Sequence, residues 1–134
     1  MIYHIVAGEE MKKLFKDRFD SIPFNEDLSK GSFCSEPFSE KFILERSAVH
    51  KVSTELYKEK LSSFLKMLKL INKDDDIHLY FGEDETCLAN RNLLIDYLAN
   101  KVRHLYLHVV DEYTGDEIKP VIDKSLKTIN PNSL

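Results

Sequence analysis

The stretch "HLYFGEDETCLAN", residues 78–90, runs from an apolar segment through Gly82 into Glu83, Asp84 and Glu85, with Cys87 close behind. Two other stretches repeat the theme: "IVAGEE" carries Gly8 and Glu9, and "FNEDLSKG" carries Asn25, Glu26, Asp27 and Lys30. Hard cations such as Mg²⁺ or Mn²⁺ take one or two protein carboxylates and keep places for water or a substrate phosphate. Glu26, Asp27, Glu83 and Asp84 are therefore the candidate metal ligands, with Glu9 beside them. Lys30, Arg46 and Arg91 could hold the anionic part of a substrate. Arg91 lies one turn after Cys87, and helical side chains lean toward the N-terminus, so it points back to the same acids.

These acids also have a purely structural account. Glu9, Glu10, Glu83, Asp84 and Glu85 fall in first helical turns, where each stabilises its helix by ~0.3–1 kcal/mol without a ligand. Asp84 serves as an N-cap on its own merits. A phosphate cradle without a cation is disfavoured, because the chain has four glycines and neither G-x-G-x-x-G nor G-x-x-x-x-G-K-[ST]. No G-x-S-x-G elbow occurs either. Cys87 sits where a helix dipole lowers a thiol pKa, but Glu83 and Asp84 oppose this, and a small buried helix residue is the simpler account. His4, His78 and His104 stand near the starts of three predicted strands and could share one sheet edge, without the short-range pair that marks a zinc site; His108 is mid-strand and expected to pack.

The elements that must position these groups alternate. Residues 3–7 read as a strand, followed by a helix with Met11, Leu14, Phe15 and Phe19 on one face. Residues 21–24 form a short strand that Pro23 pushes to an edge. A long loop then leads to a helix over about 38–52, with Phe38, Phe42, Val49 and Val52 in one stripe. A second helix starts near Ser53 or Thr54 and carries Tyr57, Leu61, Phe64, Leu65 and Leu68. Strands follow at 77–81 and 104–110, separated by a helix that Asp84 caps and that buries Cys87, Leu88, Leu94, Ile95 and Leu98. "DEYTGDE" is a turn, "IKPVIDKSLKTI" a short last helix opened by Pro120, and 130–134 a frayed tail. This order predicts one α/β domain over 1–134: a three-layer sandwich with a four- to five-stranded, mainly parallel, Rossmann-like sheet and helices on both faces. Right-handed crossovers would gather Gly8, Glu9, Asn25, Glu26, Asp27, Gly82, Glu83, Asp84 and Asp111 on the rim at the strand C-termini.

Bulk properties narrow the class. At 134 residues, 43% hydrophobic and 31% charged, the chain suits one globular domain. Its net charge of −4 argues against non-specific nucleic-acid binding. No apolar run approaches the ~20 residues of a membrane span, and "MIYHIVAGEE" lacks the features of a signal peptide. Two unpatterned cysteines fit reduced thiols and a cytoplasmic protein.

Taken in order, "HIVAGEE", "IPFNEDLSKGSF", Arg46 and "LYFGEDETCLANRNLLIDYL" resemble the bacterial domain of unknown function 1835 family over about residues 2–110. The resemblance implies an α/β domain with these loops near one another and a further C-terminal region in many relatives. It implies no activity and no catalytic residue. Two functions stay open: binding of a phosphate-bearing or nucleotide-like ligand through a divalent cation, or a non-catalytic interaction module or homodimeric structural domain. Exposure of Phe33, Phe38, Tyr106 and Tyr113 would favour the second; carboxylates from two strand exits converging around a cleft would favour the first.

Overall fold

The computed structural model describes residues 1–126. Five strands form one mixed sheet: β1 (Ile2–Val6), β2 (Ile22–Pro23), β3 (Asp76–Phe81), β4 (His104–Val109) and β5 (Ile122–Asp123). Their order is β2-β1-β3-β4-β5, with the first four parallel and β5 antiparallel to β4. The helices are α1 (Glu9–Phe15), α2 (Glu40–His50), α3 (Thr54–Lys60), α4 (Ser62–Leu70) and α5 (Glu85–Leu98). This is an α/β fold with flanking helices, consistent with a three-layer sandwich.

Strand alternation decides what each face packs against. Ile5, Leu79, Phe81 and Leu107 join one core cluster with Phe42, Tyr57, Phe64 and Leu94 from α2–α5. The intervening residues Val6, Tyr80 and Val110 join Met11 and Phe15 of α1 in a second, smaller cluster. The split follows from crossover handedness. The chain moves one way from β1 to β2 and the other way from β2 to β3 and β3 to β4, so right-handed connections put α1 opposite the remaining helices. The reversal also opens a crevice between the ends of β1 and β3, where ligands of open α/β sheets collect.

Four local expectations are corrected. Residues 118–126 do not form a helix: Ile122 and Asp123 pair with β4, and Lys124 N–H donates to Leu105 O at 2.8 Å. The open edge of β4 satisfies this backbone better than an isolated helical turn could; residues 127–134, with the rest of the predicted helix and the tail, lie outside the described residues. The long helix beginning at Ser53 is two, broken at Leu61, whose φ of −102° and ψ of 12° leave the helical region. Leu88 is exposed on α5. The buried face of α2 is Phe42, Ile43, Arg46 and Ser47, centred on a charge. Pro23 does lie on an edge strand.

Candidate functional site

The crevice at the β1/β3 switch point has a volume of about 770 Å³. Ala7, Gly8, Glu9, Asp84, Cys87 and Glu112 are among the residues that line it. Asp84 arrives as the N-cap of α5, its Oδ1 accepting the Cys87 N–H at 2.8 Å. Glu112 arrives from the opposite side, on the loop that leaves β4. That loop is tied down: Val110 N–H donates to Phe81 O at 3.0 Å, and Asp111 Oδ1 accepts from the N–H groups of Tyr113 and Thr114 at 2.8 and 3.0 Å. Gly82 makes the approach possible, because a Cβ there would stand 2.7 Å from Glu112 Oε1.

One ligand atom each from Asp84, Cys87 and Glu112 lies within 4.8 Å of the others, and among the described residues no other such group occurs. Its electrostatics are those of a shared proton. A hydrogen bond to Asp84, followed by burial and the Asp84 charge, pushes the Glu112 carboxyl up to about 7. Asp84 moves the other way, held down by Glu112 and by the Cys87 N–H. Burial, with Asp84 and Glu112 nearby, pushes the Cys87 thiol up to about 12, so the thiolate is scarce at neutral pH. Two oxygen donors that keep a proton between them near neutrality suit a hard cation, which displaces that proton on binding.

The other candidates from the sequence go elsewhere. Glu83 forms an ion pair with Lys119 at 2.9 Å, which holds its carboxyl low. Glu9 accepts from Asn25 Nδ2 at 3.0 Å. Arg91 is half-buried, its Nε and Nη1 without a hydrogen-bond partner among the described residues, and it does not line the crevice.

Glu26, Asp27, Lys30 and Arg46 form a separate assembly. The Arg46 and Glu26 side chains are both fully buried and joined by two hydrogen bonds of 3.0 Å. Arg46 also donates to Lys30 O and Asp27 O at 2.8 Å. Tyr57, His50 and the Asp27 N–H complete the shell of Glu26. Burial alone would raise the Glu26 carboxyl, but the hydrogen bonds from Arg46, Tyr57, Asp27 N–H and His50 outweigh it and hold it low. Asn90 locks the loop onto α5, donating to Glu26 O at 2.7 Å and accepting from Leu28 N–H at 2.9 Å. Arg46 thus pins the 25–31 loop, with its charge committed to Glu26. Gly8 borders this assembly too, through a second cavity of about 320 Å³.

Sequence reasoning missed Glu112, His50 and Tyr57. Asp111, one residue from Glu112, carried the available signal, but Asp111 orders the turn and Glu112 enters the crevice. His104 also departs from expectation: it is exposed opposite Asp76. The histidines that gather are His4, His78 and His108, on the α1 side of the sheet. His78 Nδ1 lies 2.7 Å from His108 Nε2, and His4 Nδ1 lies 2.9 Å from the Tyr80 hydroxyl.

No family model, no curated protein and no solved structure matches the chain. Nothing in these comparisons ties the chain to the domain of unknown function 1835 family. No helix among the described residues is long and apolar enough to cross a membrane.

Proposed function

We propose that the β1/β3 crevice binds a divalent cation, Mg²⁺ or Mn²⁺, through Asp84 and Glu112, and through that cation a phosphate-bearing or nucleotide-like ligand. The observation that carries the reading is the convergence of two carboxylates from different strand exits on one cleft, with Glu112 raised to about 7. A helix start needs Asp84 alone; it does not need a second carboxylate laid over Gly82. The crevice walls add Met11 and Leu14 as an apolar surface, and Tyr113, 87% exposed, as a flat ring at the mouth. Such a lining suits a planar group as well as a phosphate. The test is Mn²⁺ binding to the wild type against the Asp84→Asn/Glu112→Gln double variant; equal binding by both would overturn the reading.

A second reading, a non-catalytic interaction module or homodimeric domain, draws on one feature. Tyr113, Ile118, Val121 and Leu126 expose apolar surface along a single segment. By contrast, Phe33 and Phe38 pack against the core and offer no surface of that kind. Sedimentation across a concentration series tests it, and a monomer at high concentration counts against the homodimer.

A further inference from the structure

Gly8 is a glycine that neither backbone nor packing requires. Its φ of 174° is extended, and a Cβ there would meet nothing nearer than Asn25 Oδ1 at 3.8 Å. Yet Gly8 lines both the 770 Å³ crevice and the 320 Å³ cavity next to it. Bare backbone at such a junction leaves room for a molecule lying across it.

Where the crevice has Lys13, the second cavity gathers more cationic side chains. Lys30, His50 and Lys60 line it, together with Tyr57 and Asp27. Of its acids, Glu26 is neutralised by Arg46 behind the wall, and Asp27 accepts from the Ser29 N–H at 3.1 Å and from the Ser29 hydroxyl. Lys30 Nζ stands 3.8 Å from Asp27 Oδ2, and no carboxylate pairs with the Lys60 ammonium among the described residues. Asp27 offsets Lys30, so the cavity's excess positive charge is that of Lys60.

His50 is the positioned member of this set. Its Nε2 lies in hydrogen-bond contact with Glu26 Oε1, with Arg46 Nη2 3.4 Å away. That bond orients the ring and leaves Nδ1 as its second polar atom, on a side chain 23% exposed at the cavity wall. Arg46, Tyr57 and the Asp27 N–H fix the carboxylate in turn, so the ring is held by a fully hydrogen-bonded network rather than by a mobile surface contact.

We propose that the cavity lined by Lys30, His50 and Lys60 binds a phosphoryl group, and that the ligand crosses Gly8 to reach the Asp84–Glu112 pair. This rests on the cation reading for the far end of the ligand, but the phosphoryl end is testable without metal. A diphosphate is the smallest probe that offers charge to both halves.

The experiment is calorimetric titration of the full chain with inorganic pyrophosphate and with a nucleoside diphosphate, at low ionic strength, with and without Mn²⁺. Both probes are expected to bind without metal and more tightly with it. Lys60→Ala should weaken metal-free binding about fivefold, the loss of one charge-assisted contact. Gly8→Ala should weaken it at least as much without lowering the melting temperature, since nothing in the fold opposes the added methyl. Asp84→Asn should remove the gain from Mn²⁺. Pyrophosphate binding that ignores both Lys60→Ala and Gly8→Ala overturns the proposal, as does failure of either probe to bind with or without metal. Metal-free binding with no Mn²⁺ gain would sink the cation reading and leave the phosphoryl site standing.

Discussion

Replacing Glu112 by Gln should stabilise the protein above neutral pH, an unusual direction for removing a charged residue. Glu112 is pushed from its ordinary 4.5 to about 7 by Asp84, so the folded chain holds this proton more tightly than the unfolded chain does. A raised folded pKa contributes stability that is complete below about 4.5 and lost as pH rises through about 7. Such a difference corresponds to roughly 3 kcal/mol at 1.36 kcal/mol per pH unit. Both carboxyls face solvent, and water and salt reduce that figure to on the order of 1 kcal/mol. The amide introduced by Glu112→Gln mimics the protonated acid at every pH. The expected result is a melting temperature about 3–5 °C above wild type at pH 8, shrinking toward no difference as the pH falls below about 4.5. The comparison of variant with wild type at each pH cancels contributions from the rest of the chain. A variant that melts at or below wild type at pH 8, or a difference that does not change with pH, would refute the shared proton and with it the electrostatics assigned to the crevice.

Three further outcomes follow from the same contacts. Arg46→Met strands the buried Glu26 carboxylate and should cost about 3–5 kcal/mol in chemical denaturation, while Arg46→Met with Glu26→Gln recovers part of the loss; a loss under about 1 kcal/mol would contradict the network. Burial and neighbouring histidine charge hold His4 and His78 below their ordinary 6.5 despite Asp76 and Glu117 beside His78, so the unfolded chain takes these protons first and stability should fall as pH drops from about 6.5 toward 5. In His78→Gln that decline should be shallower, and an unchanged slope would count against it. A thiol reagent at pH 8 should modify Cys34 and spare Cys87, which is buried and pushed up to about 12, until the protein is unfolded; rapid native labelling of both would contradict the packing of α5.

What could be read from the sequence was local. Gly82, Asp84 and Cys87 announce a strand exit and a capped helix within one short stretch, and that is what the structure contains. Glu112 could not be read, because in "DEYTGDE" an acid looks like any turn residue. Its position depends on β4 lying beside β3 in the register Phe81 to Val109, and on Gly82 lacking a side chain. Arg46 misled for a related reason. An arginine is exposed unless paired, and its partner Glu26 lies 20 residues away across a loop. That buried charge also broke the apolar stripe of α2, so periodicity placed its face wrongly. The strand at Ile122 was hidden because pairing with a distant edge overrode a helix signal built from Pro120 and the residues after it.

The most direct test of the cation site is calorimetric titration of Mn²⁺ at pH 7.5 and pH 6 into wild type and the Asp84→Asn/Glu112→Gln variant. Asparagine preserves the α5 cap, so the variant loses charge and keeps its fold. The account predicts saturable binding by wild type, weaker at pH 6 where Glu112 keeps its proton, and no binding by the variant. Binding of equal strength in both proteins, or no binding by wild type at millimolar Mn²⁺, would contradict it.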